Sequence, residues 1–148
     1  MHTKFVRWLL VIWVSPNTLI GLVLGVLALM TGGKMQIERG CVEVYGGYVQ
    51  WGLQRVMGGR GAAAMTLGHS IMGQTRKTLK VARDHEHVHV RQYERWGPFF
   101  LPVYLGWSAA LWLRGKDAYL DNPFEIEAYG VSNPMYSEED FEKFDDGN

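Results

Sequence analysis

Hydrophobic and polar positions divide the chain into blocks of different period. From Trp8 to Gly33, 26 consecutive residues carry no charge, with Lys4 and Arg7 before them and Lys34 after. About 20 such residues cross a bilayer as a helix. A secretory signal would have an apolar core of about 7–15 residues and a small-x-small cleavage site. Ala28-Leu29-Met30-Thr31 is a poor site of that kind. The block therefore reads as an uncleaved membrane anchor over residues 1–33. Ser15-Pro16 inside it is helix-start chemistry. The anchor is then either one kinked span or a half-helix followed by a helix from about Pro16 to Met30. Gly21 and Gly25 make a small-xxx-small pair that could bring two helices together, which leaves a homo-oligomer open.

The next block changes period. Val42, Val44, Tyr48, Val49 and Trp51 are strand formers with polar residues between them. Gly46-Gly47 supplies a two-residue turn, so the pattern predicts a hairpin of Cys41–Tyr45 with Tyr48–Gln54. Met57-Gly58-Gly59-Arg60-Gly61 reads as a loop. Ala64–Met72, bounded by Gly61 and Gly73, reads as a third strand or a short helix, with strand preferred.

Residues 75 to 96 are dominated at both ends by straight-chain helix formers, and Gly97-Pro98 is a strong stop. A helix here puts His85 and His89, at i and i+4, on one face. His85-Glu86-His87-Val88-His89 is then an HExxH motif, with two imidazoles for one metal and Glu86 beside them as general base. His87 falls off that face. The same histidines also alternate with period two, and His87-Val88-His89 followed by Glu94 is similar to the metal-binding core of a cupin. That core requires a strand with flanking glycines, and Val81 and Leu101 occupy their places. The helix is the preferred reading.

A third ligand is needed for zinc. Asn122 as N-cap and Pro123 at N1 start a further helix, which places Glu125 at N3. Glu125 serves there either as the acid of a capping box or as the carboxylate of a His-His-Glu site. Glu127 lies on another face, so one of the two can ligate. Between the half-sites, the 18 residues from Trp96 to Leu113 carry no charge. If they crossed the bilayer, His89 and Glu125 would lie on opposite sides. Pro98 and Pro102 leave a helix of about Val103–Leu113, too short to cross. The segment is interfacial, re-entrant or buried against the histidine helix, with Trp96, Trp107 and Trp112 suited to an interface. Tyr104, Tyr119 and Tyr129 could each supply an oxyanion donor. Asp84 and Gln92 could support the histidines. His69 reads as a hydrogen-bonded core histidine or a residue facing the cleft.

HExxH on one helix with a Glu on a later helix resembles the gluzincin branch of zinc metallopeptidases. Glu125-Ile126-Glu127-Ala128-Tyr129 resembles the E-x-E-A-D element of the membrane-bound CAAX-protease and heat-shock-protease family. The resemblance spans about residues 60 to 130. It implies that Glu125 is the third zinc ligand and that Ala64–Met72 is an edge strand lining the substrate cleft. Tyr129 stands where that family has Asp.

Composition adds limits. One cysteine, Cys41, excludes a disulfide framework and a cysteine-rich zinc finger. Fifteen basic and fifteen acidic residues exclude a globally basic nucleic-acid binder. Charge is segregated: Ser137–Asn148 forms an acidic tail of net charge −5, and Tyr45–Arg83 holds six basic residues and no acid. The basic run favours a cytoplasmic domain; it is either a solvated face whose bases meet the acidic tail or a surface for membrane lipid, rather than for nucleic acid. Together these readings predict an α+β chain with a membrane helix, a short antiparallel sheet, a zincin-like helix and C-terminal helices. Residues 34–136 form the catalytic domain and 137–148 a flexible tail. The expected activity is zinc-dependent hydrolysis of a peptide or protein substrate near a membrane, with His85, His89 and Glu125 on Zn2+ and Glu86 as base. The alternative is a non-catalytic zincin-like protein that binds metal or partners.

Overall fold

The computed structural model describes residues 2–56, 59 and 61–131. The acidic tail lies outside them, as do Met57, Gly58 and Arg60 of the expected loop. The fold is α+β: an apolar N-terminal helix, a four-stranded mixed sheet, then helices.

Helix α1 runs unbroken over His2–Met30, with Pro16 inside it. A proline lacks the N–H that would bond to the carbonyl four residues earlier. That carbonyl belongs to Ile12, and the Ser15 hydroxyl donates to it instead, at 2.7 Å. Hence no second helix starts at Pro16. The segment is long and apolar enough to cross a membrane, a test that signal sequences and buried core helices also pass. Its buried positions are Val14, Asn17, Gly21, Gly25 and Ala28, spaced three and four apart. They form one stripe, and that stripe lies on the sheet. A Cβ on Gly21 would collide with the Ser70 side chain, and one on Gly25 would press on Val44 Cγ2. The small-xxx-small pair is thus used within the chain.

Strands β1 (Lys34–Glu38) and β2 (Cys41–Tyr45) form an antiparallel hairpin with Glu38 opposite Cys41. Its two-residue turn is Arg39-Gly40, both with positive φ (48° and 80°). That is the combination which matches strand twist in a tight hairpin. The expected partner, Tyr48–Gln54, is not a strand: Gly47–Leu53 is helix α2. Tyr48 N donates to Thr31 Oγ1 at 2.7 Å, so the end of α1 holds the start of α2. Val49 and Leu53, at i and i+4, are its buried residues. Their helical period outweighs the β-propensity of the segment.

The expected single strand Ala64–Met72 is a hairpin, β3 (Ala64–Leu67) and β4 (Ser70–Gly73), turning at Gly68 with φ 63°. The sheet order is β1-β2-β4-β3. Its central pair, β2 with β4, is parallel, so the sheet is mixed rather than antiparallel. A parallel pair needs a long crossover; here residues 46–69 supply it and carry α2 and β3. The strand reading of Ala64–Met72 therefore holds in type, with β3 at the sheet edge.

Helix α3 spans Arg76–Trp96. Thr75 caps it: its Oγ1 accepts from Thr78 N (3.2 Å), and Thr78 Oγ1 accepts from Thr75 N (2.9 Å). It ends at Gly97, with φ 59°. A short 3-10 turn, Gly97–Phe99, leads into α4, Phe100–Leu113. Pro102 sits in the first turn of α4 and does not interrupt it. At 14 residues α4 is about 21 Å long, too short to cross hydrocarbon. Helix α5, Pro123–Val131, starts as expected: Phe124 N donates to Asn122 Oδ1 at 3.1 Å.

The elements stack in three layers. Ser70 and Val44 face α1 from the middle of the sheet. Glu43 and Gly73 face α3, where they meet Arg83 and Leu79. Glu43 is fully buried, and Arg83 donates to both of its oxygens at 2.8 and 2.9 Å. Burial alone would raise this carboxyl, but the hydrogen bonds from Arg83 and Gln36 hold it below its ordinary pKa.

Candidate metal centre

Three side chains from two helices converge midway along α3. His85 and His89 project from one α3 face, and α5 brings Glu125 to them from its first turn. His85 Nε2 and His89 Nε2 are 3.3 Å apart. Glu125 Oε2 is 3.1 Å from His85 Nε2, and its Oε1 is 3.3 Å from His89 Nε2. Zinc–ligand bonds of about 2.0–2.1 Å at tetrahedral angles put ligand atoms about 3.3–3.4 Å apart. The two histidine nitrogens are thus at the separation of neighbouring ligands on one ion, and each has a different Glu125 oxygen at a similar distance, a donor set of the right chemistry with all its ligand atoms within 4.8 Å. Glu125 is used for this cluster, not for a capping box.

The surroundings orient the donors. Gln92, one turn beyond His89, is buried. Its Nε2 donates to Phe124 O (3.0 Å) and to Glu127 Oε2 (2.8 Å). Those two acceptors fix the amide orientation and turn Oε1 toward His89 Nδ1, 2.8 Å away. His89 therefore donates from Nδ1 and presents Nε2 to the cluster, the tautomer a ligand needs. Arg95 donates to the other oxygen of Glu127 at 3.4 Å. The choice between the two glutamates falls out of this geometry: Glu125 faces the histidines and Glu127 stands behind them. Tyr104, a candidate oxyanion donor, gives its hydroxyl to Glu125 Oε1 at 2.6 Å. Tyr129 lies with its ring 4.4 Å from the His85 imidazole, and its hydroxyl meets that of Tyr119 at 3.1 Å.

The protons follow from the packing. Burial alone would lower the His89 pKa, but its hydrogen bond to Glu125 and the charges of Glu86 and Glu125 raise it to about 9. Burial would raise Glu125, and hydrogen bonds from His85 and His89 bring it down to about 2. Without metal, His89 and Glu125 form an imidazolium–carboxylate pair at neutral pH. Tyr104 is pushed up by burial and by the Glu125 charge, so it stays a donor.

Glu86 is buried next to this cluster. The Thr66 hydroxyl, on edge strand β3, donates to its Oε2 at 2.7 Å. Tyr93 from the same helix donates to Thr66 O at 3.2 Å, tying β3 to α3. Nothing in the sequence marked Thr66, because its pairing with Glu86 depends on where β3 crosses α3. Gln92 was legible, three residues past His89 on the same face. Asp84 instead pairs with Arg39 at 2.7 Å. His69 sits in the β3–β4 turn and bonds Glu94 at 3.0 Å, outside the cluster. His87 faces away, its Nδ1 bonded to Arg83 O at 3.0 Å.

The cluster is nearly closed: His85, the most open of the three, has 11% of its side chain exposed. Two surface clefts, one at Lys4, Arg7, Trp8 and Val11 and the other along α4 from Val103 to Arg114, lie elsewhere. No family model, no curated protein and no solved structure matches this chain.

Proposed function

We propose that the chain is a zinc-dependent peptidase working at a membrane surface. The observation that carries this reading is the convergence of His85, His89 and Glu125, ligand atoms within 4.8 Å of one another, with the Glu86 carboxylate beside them. His85 Nε2, His89 Nε2 and a Glu125 oxygen would hold the ion, with Gln92 and Tyr104 fixing the last two. Zinc in such a site supplies Lewis acidity toward water and a peptide carbonyl. Glu86 would accept the proton of the attacking water on its carboxylate and return it to the leaving amine nitrogen. The Thr66 hydrogen bond holds that carboxylate in place. Because β3 is the edge strand and meets Glu86 at Thr66, an extended peptide running beside it would bring its scissile bond to the base. The exposed apolar face of α1 supports membrane association. The basic run up to Arg83 favours a domain on the cytoplasmic side.

A second reading, a metal-binding protein without catalysis, is favoured by the burial of the cluster. The two separate on substitution. Purified protein should carry about one zinc per chain, lost or weakened in Glu125→Ala. Glu86→Gln should keep the zinc and abolish hydrolysis of itself and of casein-like substrates. Wild-type protein that holds zinc and cleaves nothing supports the second reading. Protein that takes up no zinc removes both.

A further inference from the structure

Helix α1 is inside out for a core helix. The stripe it turns to the sheet is Val14, Asn17, Gly21, Gly25 and Ala28, small or polar apart from Val14. The residues it leaves exposed include Phe5, Trp8, Leu9, Ile12, Ile20, Val23, Val26 and Met30. Small residues inward with large aliphatic residues outward is how helices pack when their outer medium is lipid. The tryptophans agree: all six in the chain are at least 40% exposed. A water-facing fold buries most of that ring area, whereas a membrane interface takes up rings that are apolar in body and polar at the N–H.

How α1 meets that lipid is decided by what covers its inner stripe. Contacts with the domain run its whole length, from Arg7 beside Gly40 through Asn17, whose amide donates to Gly97 O, to Thr31 at Tyr48. The sheet lies on this stripe from Gly21 to Ala28, Asn17 meets the Gly97 turn at the end of α3, and the charged face of α3 lies on the far side of the sheet. Helix α3 exposes Arg76, Lys77, Lys80, Asp84, Arg91 and Arg95. If α1 stood across the bilayer, the sheet with its Glu43–Arg83 pair and the charged face of α3 would stand beside it at hydrocarbon depth. Charges there are expensive, and open sheet edges do not occur in lipid. If α1 lies in the membrane plane, the apolar helix faces the lipid and the charged helix faces water, one sheet apart. The charges at the two ends of α1 fit the same arrangement. Lys4 and Arg7 lie at one end of α1 and Lys34 follows the other, which suits a helix whose ends both meet anionic headgroups.

We infer that α1 is a monotopic, in-plane membrane element that seats the domain on an anionic bilayer without crossing it. This rests on the membrane association in the function proposed above, and not on its peptidase chemistry. The test uses the full chain with Cys41→Ser, removing the one native thiol, and single cysteines at Lys4→Cys or Lys34→Cys. Sealed right-side-out and inside-out membrane vesicles are treated with a membrane-impermeant maleimide. In-plane binding requires both positions to label in the same vesicle orientation. Labelling in opposite orientations means that α1 spans, which overturns the inference and leaves membrane association standing. Recovery of the protein in the soluble fraction overturns both. As a second measurement, Ile12→Glu with Ile20→Glu, on the exposed face, should release the protein from phosphatidylcholine–phosphatidylglycerol vesicles with its circular dichroism unchanged. Undiminished vesicle binding by that variant also overturns the inference.

Discussion

The residue whose role is most sharply defined is Gln92. Its two amide hydrogens are committed to Phe124 O and Glu127, so its oxygen has one orientation and His89 has one tautomer. Gln92→Leu would keep the volume and strand all three partners. Loss of such an outer partner typically costs about 10–100-fold in metal affinity. We expect a drop of that order for Gln92→Leu in competition with a chromophoric chelator. Gln92→Glu should not restore it, because its second oxygen would face Phe124 O and the Glu127 carboxylate, both acceptors. Equal affinities for wild type and Gln92→Leu would reduce the hydrogen bond to a packing detail. At this scale much of the cluster was legible: i, i+4 spacing placed His85 and His89 together, and helix-start chemistry placed Glu125 in a first turn. Thr66 and the ring of Tyr129 were not legible in their roles, because both act through tertiary approach rather than spacing.

At the scale of elements, caps, stops and most of the strand-former runs were legible, and one strand-former run was overridden by tertiary packing. Helix α3 and helix α5 carry caps and stops in their sequences, and both start where those caps stand. Tyr48–Gln54 reads as a strand from its side chains, yet its two buried residues are spaced as in a helix, and β1 and β4 take both edges of β2. The parallel pairing of β2 with β4 has no local signature at all, since it is settled by a crossover 24 residues long. Glycine placement gives the test at this scale. Gly21 and Gly106 are both in helices, so intrinsic propensity favours alanine at each by about 0.5–1 kcal/mol. A Cβ at Gly106 meets nothing, whereas at Gly21 it drives into Ser70 and toward Leu67 O. Gly106→Ala should therefore raise the midpoint of thermal unfolding slightly. Gly21→Ala should lower it, with overpacking of this kind costing about 1–3 kcal/mol. Similar shifts at the two sites would mean that α1 is not seated on the sheet.

For the whole molecule, a metal bound as proposed would compete with the proton for one set of atoms, and the two pH dependences would run in opposite directions. In the metal-free protein His89 is raised to about 9 and Glu125 lowered to about 2. A histidine raised above its unfolded value of about 6.5 gives stability that is complete below that pH and fades as the pH climbs to about 9. A carboxylate lowered from about 4.3 gives stability that is complete above that pH and fades as it falls toward 2. The metal-free chain should therefore gain most from this pair between about pH 4.5 and 6.5. Metal binding must first expel the His89 proton, so apparent affinity should rise about tenfold per pH unit until His89 has titrated. Zinc at a fixed excess adds stability as the logarithm of concentration over Kd, about 2.7 kcal/mol at a hundredfold excess. Thermal unfolding with zinc and with EDTA, at pH 6, 7 and 8, separates the two trends. The EDTA midpoint should fall across that range while the zinc-induced gain grows, and Glu125→Ala should flatten both. A zinc-induced gain that is constant with pH would mean the ion enters without displacing a proton, and the imidazolium–carboxylate pair would not be the metal-free state of the site.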